Sequence, residues 1–279
     1  MTSDPSTTSS PGSLPAEVQQ IDSGVAHAAR AYDYLLGGVD NFAVDREAVE
    51  KMYASAGGVE QARIRVRAQR AFIGRAVRYL AGEVGIRQFL DLGTGIPNAD
   101  NVHAVAQATA PEARIVYVDH DPVVLAHAHT LQSSTEQGAA AFLYGDMCDH
   151  EDILTRAAAT LDFSEPTALV VAGVLHHFRD EDDPGTMLRR YLDALPSGSY
   201  LVLDNIGKER EEGVKLGQVM ERMDGAGFTL VPRTRAELTP YFEGLELVDP
   251  GLVYIDHWRP DGPLPEYETR HPCGVARKP

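Results

Sequence analysis

Two textures of hydrophobicity divide the chain. Up to about residue 82 the apolar positions recur at helical spacing; after Gly85 they gather into short runs separated by amphipathic stretches. In the first part, residues 26–36 and 45–53 read as helices parted by Gly37, Gly38 and a polar turn through Asn41. Residues 63–82 read as a longer helix with Ile64, Ala68, Ala71, Phe72, Ala76 and Leu80 on its apolar stripe. Arg63, Arg65, Arg67, Arg70 and Arg75 fall off that stripe, so the arginine run reads as a solvated face. In the second part, buried strands are predicted over residues 88–92, 115–118, 141–144, 168–172 and 200–204. Helices at 100–108, 122–131, 151–160 and 184–194 fill the gaps, with Asp121 and Pro122 supplying a cap and a first-turn proline. A helix at 211–224, a strand at 245–258 interrupted at Pro250-Gly251, and a short strand at 273–277 complete the pattern. Such alternation builds βαβ units around a mainly parallel α/β sheet.

Residues 1–20 are dominated by Ser, Thr, Pro and Gly and offer little to bury, which predicts a disordered leader. Three regions are therefore expected: the leader at 1–20, a helical region at 21–82 and an α/β domain at 83–279. A formal charge of -16 repels phosphate backbones and anionic lipid, so neither nucleic acid nor a membrane surface is the expected partner. The longest apolar run, residues 168–175, is far short of the roughly 20 residues of a bilayer span, and the N-terminus lacks a secretory pattern. A cytoplasmic protein with two reduced thiols, Cys148 and Cys273, is the expectation.

Ligands of open parallel sheets bind at the carboxyl ends of the strands. After the first strand comes Asp91-Leu-Gly93-Thr94-Gly95-Ile-Pro97, where two glycines let the backbone turn tightly beside a carboxylate. The second strand ends on Asp119, placed to accept from both hydroxyls of a ribose, and the third is followed by Gly145-Asp146-Met147. Taken singly, each has a plain structural explanation: glycines for packing, aspartates as caps or turn residues, Asp121 being the better cap. At the ends of three consecutive strands, they point together to one nucleoside-bearing cofactor. A dinucleotide site wants a third glycine, and Asn98 stands there instead. Asp91 suits an ammonium better than a pyrophosphate, and Asp146 suits an adenine amino group, which favours S-adenosylmethionine over a nicotinamide dinucleotide.

Four segments carry a resemblance that extends over residues 27–278: 30–46 (RAYDYLLGGVDNFAVDR), 89–97 (FLDLGTGIP), 116–126 (VYVDHDPVVLA) and 191–203 (YLDALPSGSYLVL). They resemble a family of actinobacterial class I S-adenosylmethionine methyltransferases first catalogued as a domain of unknown function. The resemblance implies a Rossmann-like, seven-stranded, mainly parallel sheet with one antiparallel strand, segments 245–258 and 273–277 forming the final pair, and an N-terminal helical lid. Position by position, it implies that Asp91, Gly93, Thr94 and Gly95 contact the methionine moiety, Asp119 the ribose, and Asp146 with Met147 the adenine. Val174 and Leu175 would line the methionine side. Pro97 stands where the class pattern has another glycine. His176 matches a histidine of the family, and His177 occupies an aromatic position.

Methyl transfer from a sulfonium is an in-line displacement that depends largely on positioning, with a base needed where the acceptor starts protonated. His176 and His177 are the candidate catalytic residues, with Asp204, His257 and Tyr34 also in reach of the pattern. His127 and His129, two apart on a helix, point away from each other, and no metal site is expected. The mixture of aromatic, amide and glycine residues from Tyr32 to Phe42 reads either as a helix-turn-helix packed on the sheet edge or, as the resemblance favours, as a lid over the cofactor, with Tyr34, Asn41 and Phe42 facing the substrate. The expected function is methylation of a small-molecule acceptor. A non-catalytic S-adenosylmethionine sensor and an NAD(P)-dependent oxidoreductase are the alternatives, and the acceptor and oligomeric state are open.

Overall fold

The computed structural model describes residues 22–54, 58–96, 100–128, 134–208, 229–266 and 268–279. The expected leader, the helix at 211–224, Pro97, Asn98 and His129 lie outside the described residues. Five strands run parallel: β1 (Gln88–Leu92), β2 (Arg114–Asp119), β3 (Ala139–Tyr144), β4 (Thr167–Val171) and β5 (Tyr200–Asp204). β1, β4 and β5 are buried along their whole length, which is why β4 and β5 read as near-continuous apolar runs rather than as alternations, while β1 buries Gln88 and Asp91 among its apolar residues. β8 (Pro272–Arg277) lies antiparallel beside β5 and pairs on its other side with β6 (Glu246–Leu247), giving the order β3-β2-β1-β4-β5-β8-β6. The expected strand at 245–258 is broken in two. β6 (Glu246–Leu247) and β7 (Val253–Tyr254) both pair with β8, in registers Glu246↔Arg277 and Val253↔Cys273, so they form one interrupted edge strand. The sheet is thus mainly parallel with β8 as its antiparallel member.

Helices cover both faces. α3 (Gly58–Tyr79) and α4 (Val102–Thr109) enclose one core with Phe72, Val77, Phe89 and Ile115. α6 (His150–Ala157) and α7 (Pro184–Ala194) enclose the other with Leu90, Ile153, Leu169 and Leu188. α5 (Pro122–Ala128) follows β2, and Asp121 caps it by accepting from Val123 N at 2.8 Å, as the sequence reading expects.

Before the sheet come α1 (Ala28–Leu36) and α2 (Ala43–Tyr53), which join the first half of α3 in a smaller cluster of Leu35, Val49, Met52 and Ala62. The ion pair that holds α1 to α2 is buried: Arg30 Nε lies 2.9 Å from Asp45 Oδ2, with neither side chain more than 3% exposed. At the far end, Arg75 donates to the carbonyls of Ile255 at 2.6 Å and Trp258 at 2.9 Å, while Trp258 packs edge-on against Phe72 and Tyr79. The expectation of a simply solvated arginine face is therefore corrected. Arg75 fastens α3 to the C-terminal segment, and Arg65 is 5% exposed.

The short helical turn Arg235–Leu238, continuing through Thr239–Phe242, is absent from the sequence reading. The signal for it was present, since Thr234 and Glu237 form a reciprocal capping box.

Candidate functional site

At the β1–β4 boundary the strand order reverses, and the crevice outside the carboxyl ends opens there. Gly93 and Gly95 both hold positive φ, 72° and 67°, a conformation that glycine adopts without strain. A Cβ on Gly93 would lie 2.5 Å from Val174 Cγ2, so the loop after β1 sits directly on the loop after β4. Asp119 Oδ2 accepts from Gly95 N at 2.8 Å and Oδ1 from Asp121 N at 3.0 Å, joining the β1 and β2 loops through one carboxylate. Burial pushes the Asp91 carboxyl up to about 7, against the pull of the Arg70 charge and a hydrogen bond from Thr94.

These loops form the floor of a cavity of about 540 Å³. Gly93, Thr94, Gly95, Asp119, Asp146, Met147, Val174, His176 and His177 all line it. Asp91 lies beneath, 6% exposed, at the end of β1. Asp146 is exposed and accepts from Cys148 N at 2.8 Å, while Met147 is 6% exposed and its carbonyl takes the Tyr191 hydroxyl at 2.8 Å. Leu175 departs from expectation. Its side chain is fully buried in the core on the α6–α7 side rather than lining the cavity, because the short turn at Leu175–His177 puts neighbouring side chains on opposite sides.

The roof comes from α1, α2 and α3, but not through the residues expected. Tyr34, Asn41 and Phe42 do not line the cavity. Tyr34 bonds Glu50 at 3.3 Å on the surface, and Phe42 is 39% exposed with the Arg30 guanidinium 4.9 Å from its ring centre. Asn41 Nδ2 donates to Asp33 Oδ2 at 2.8 Å and to Gly38 O at 3.0 Å, closing the α1–α2 turn. The unusual polar mixture from Tyr32 to Phe42 thus largely builds a turn. The cavity face of α1 carries Ala28, Ala31, Tyr32 and Leu35, at helical spacing one step away from Tyr34.

Tyr32 donates to Gln69 Oε1 at 2.9 Å, Gln69 Nε2 donates to Asp204 Oδ2 at 2.6 Å, and Gly173 N donates to Asp204 Oδ1 at 2.7 Å. This buried chain ties the roof to the ends of β4 and β5. Asp204 is wholly buried, and burial raises its carboxyl to about 6 against the Gln69 and Gly173 hydrogen bonds. It works through Gln69 and does not itself reach the cavity. His257 pairs with Glu268 at 3.1 Å, also away from the cavity.

The two candidate histidines differ. His177 Nδ1 lies 2.9 Å from the Thr229 carbonyl oxygen, so Nδ1 carries the proton and Nε2 keeps a lone pair. His176 is 8% exposed, and its Nδ1 has no hydrogen-bond partner among the described residues. Burial lowers the affinity of both rings for protons, His176 the more strongly. Among the described residues no group of three or more His, Cys, Asp or Glu could hold a metal ion.

Sequence reasoning passed over Arg65, Arg70, Tyr32, Gln69 and His27. The first four lie on the cavity faces of α1 and α3, and a face count from the strand ends inward would have found them. His27 Nδ1 sits 2.7 Å from Asp121 Oδ2, which gives the capping aspartate a second task at the foot of α1.

A family model described as S-adenosyl methyltransferase matches residues 15–279. The chain belongs to this family. Consistent with that membership, a DUF574 family protein from Streptomyces avermitilis MA-4680 is 41% identical with a TM-score of 0.88, over 93% of this chain and all (100%) of that one. A Thermobifida fusca YX protein to which methyltransferase function is ascribed is 34% identical with a TM-score of 0.83, over 95% and 98% of the two chains. No protein of curated function matches. The cofactor of this S-adenosyl methyltransferase family is S-adenosylmethionine. The residues present fit it. The loop after β1 turns on two positive-φ glycines and leaves open space at Gly95, the buried Asp91 carboxyl lies under it, and Asp119 closes its side.

Proposed function

We propose that the protein catalyses methyl transfer from S-adenosylmethionine to a small-molecule acceptor held under α1–α3. The observation that carries this reading is the continuity of one cavity from the glycine cradle to the apolar roof. A cofactor sensor needs only the first half of such a space. A net charge of -16 favours a small acceptor inside the cell over nucleic acid.

When bound, S-adenosylmethionine supplies an electrophilic methyl group on a sulfonium and leaves as the neutral thioether S-adenosylhomocysteine. Asp91 takes the ammonium of the methionine portion, and Arg70, whose charge already acts on Asp91, takes its carboxylate. Asp119 accepts from the ribose hydroxyls, Asp146 and Met147 hold the adenine, and Val174 flanks the methionine chain. His177 is the oriented base: its Nδ1–H is anchored on Thr229, which leaves Nε2 to receive a proton from a protonated acceptor. His176 offers a neutral hydrogen-bonding ring beside it, the two ring centres being 4.3 Å apart. The helical region, residues 21–82, acts as a lid on the α/β domain at 83–279 and excludes water from the sulfonium.

Calorimetric titration with S-adenosylmethionine, S-adenosylhomocysteine and NADPH tests the cofactor. Incubation with methyl-labelled cofactor and a small-molecule extract tests turnover. Label transfer to a low-mass product is expected; binding without transfer to any extract would leave the sensor reading standing, and NADPH binding alone would favour the oxidoreductase.

A further inference from the structure

We propose that Arg233 is a positioning residue for the transfer: its guanidinium clamps the turn that carries His176 and His177 and so holds His177 in the form that can take a proton. This rests on the methyl-transfer reading above and adds to it a residue outside the reacting groups. Residues 229–233 run alongside the turn after β4 and hold it at several points. The Thr229 carbonyl lies 2.9 Å from His177 Nδ1, and Val231 N donates to the His176 carbonyl at 2.7 Å. Arg233 donates from Nη1 to the Leu175 carbonyl at 3.3 Å and from Nη2 to the Phe178 carbonyl at 3.0 Å. The two carbonyls that it spans bracket both histidines. On the other side the same segment is tied to the continuation of β5: Arg233 N donates to Ile206 O at 2.9 Å, Lys208 N to Arg233 O at 3.2 Å, and Asn205 Nδ2 to Val231 O at 3.0 Å. Pro232 favours extended backbone at Val231 before it. The turn is thereby referenced to the sheet.

The residue type follows from the turn. Its own hydrogen bonds, His177 N to Val174 O at 2.9 Å and Phe178 N to Leu175 O at 3.1 Å, use the carbonyls of Val174 and Leu175, so those of His176 and Phe178 are held from outside. A planar fork can span two carbonyls three residues apart, and a point ammonium cannot hold both equally well. Arg233 does not line the cavity; it approaches the turn from a separate hollow of about 370 Å³. Its side chain is 4% exposed, whereas Asp180, 2.8 Å away, is 86% exposed, so that ion pair is screened and the carbonyls set where the guanidinium lies. Burial, the His177 and His271 rings and the Arg233 charge all disfavour a proton on His176. Burial does the same for His177 against the Thr229 contact, with His120 and His27 acting alongside burial and Asp119 opposing it. In a neutral ring the tautomer decides what the ring can do. With the proton on Nδ1, Nε2 offers a lone pair; with the proton on Nε2, that nitrogen cannot act as a base.

The test records the imidazole nitrogens of nitrogen-15 histidine-labelled protein by NMR at about pH 8, the His177 signals being assigned by their loss in His177→Gln. Wild-type His177 is expected in the Nδ1–H form. Arg233→Met should raise the share of the Nε2–H form about tenfold, the size of one ordinary hydrogen bond lost. Arg233→Lys should fall between the two, and Asp180→Asn should match wild type. A merely structural arginine would lower the melting temperature and leave the tautomer ratio of the folded protein alone. An Nε2–H form in wild type overturns the proposal, as does an unchanged ratio in folded Arg233→Met or a shift in Asp180→Asn as large as that in Arg233→Met. Where Arg233→Met and Arg233→Lys do not fold, the wild-type guanidinium decides: separate, slowly exchanging Nη protons are expected of a fork held on two carbonyls, and one averaged signal overturns the clamp. These spectra need no ligand. Failure of the wild-type protein to bind S-adenosylhomocysteine in a parallel titration overturns the methyl-transfer reading, whereas a wrong tautomer in protein that binds it overturns this inference alone.

Discussion

The two ends of the cavity are built from different materials. At the cofactor end the decisive atoms belong to loops that follow β1, β2 and β3, and the main chain itself makes the shape: Gly93 and Gly95 turn it, and Asp119 ties two loops together through backbone N–H groups. At the roof the decisive atoms are side chains on helical faces, Tyr32, Arg65 and Gln69, held at the sheet through the Tyr32–Gln69–Asp204 chain. A loop whose backbone is the binding surface tolerates almost no change of residue type. A helix face can change its chemistry one side chain at a time without moving the backbone. On the proposed function, the cofactor end is fixed by geometry, and the roof is the part free to vary with the acceptor.

That contrast can be broken most forcefully at two adjacent residues. Leu175→Ala should cost about 2–5 kcal/mol of stability, the range for emptying a buried leucine site, while affinity for S-adenosylhomocysteine in the folded fraction stays unchanged. Val174→Ala should do the reverse, with a small change in denaturation midpoint and weaker cofactor binding. If Leu175→Ala weakens binding in the folded fraction, the boundary between core and cavity is misplaced.

Next in size is Asp119→Ala, expected to lose about 1–3 kcal/mol of cofactor binding as two hydroxyls and two backbone N–H groups lose their acceptor. Undiminished affinity by calorimetry, with circular dichroism intact, refutes the ribose role.

The pH dependence of binding sharpens the role of Asp91. Its carboxyl titrates at about 7 in the free protein, above its ordinary range, so the protonated form favours the folded state and that contribution is lost as pH rises through 7. A bound ammonium favours the ionised form. Cofactor affinity should therefore rise with pH up to about 7 and then level, with a slope below that point approaching tenfold per pH unit. Asp91→Asn should bind weakly and without that slope, and a wild-type profile that is flat between pH 5 and 7 excludes an ionised Asp91 as the ammonium partner.

Smallest is the anchor at the foot of α1. The contact with Asp121 raises the proton affinity of His27, and the partner carboxyl is lowered by His27 and Val123 N–H despite its burial. The His27 share of stability is complete below about pH 6.5 and disappears as pH rises through the raised value; the Asp121 share disappears as pH falls through the lowered one. With the His27 side chain 38% exposed, His27→Ala should cost less than about 1 kcal/mol. The loss should be greatest near pH 5 to 6, with faster amide exchange over residues 28–36. Equal losses at pH 6 and 9 would mean that packing, not charge, holds the helix.

The same division explains what was legible in the sequence. β1 and β5 fall on the residues expected, and α7 likewise, because buried parallel strands and a capped helix with a first-turn proline leave short, sharply bounded patterns. That Gly93, Gly95, Asp119 and Asp146 meet in one cavity was legible because strand ends converge in a known place. The roof was not. Tyr34, Asn41 and Phe42 were singled out for their chemistry, but direction on a short helix depends on how α1 leans on α3, which no local pattern encodes. Arg65 and Arg75 looked alike as members of a charged run, and only the tertiary fold gives one a cavity and the other two distant carbonyls.

The clasp between Arg75 and the segment around Trp258 also bears on how the protein is made. Its two hydrogen bonds join residues 180 and 183 positions apart, and α3 carries one wall of the cavity. During synthesis from the N-terminus, α1, α2 and α3 leave the ribosome well before Ile255 and Trp258 exist to receive them. The wall that α3 contributes is thus translated before the residues that fasten it, and its fastening waits for the segment around Trp258.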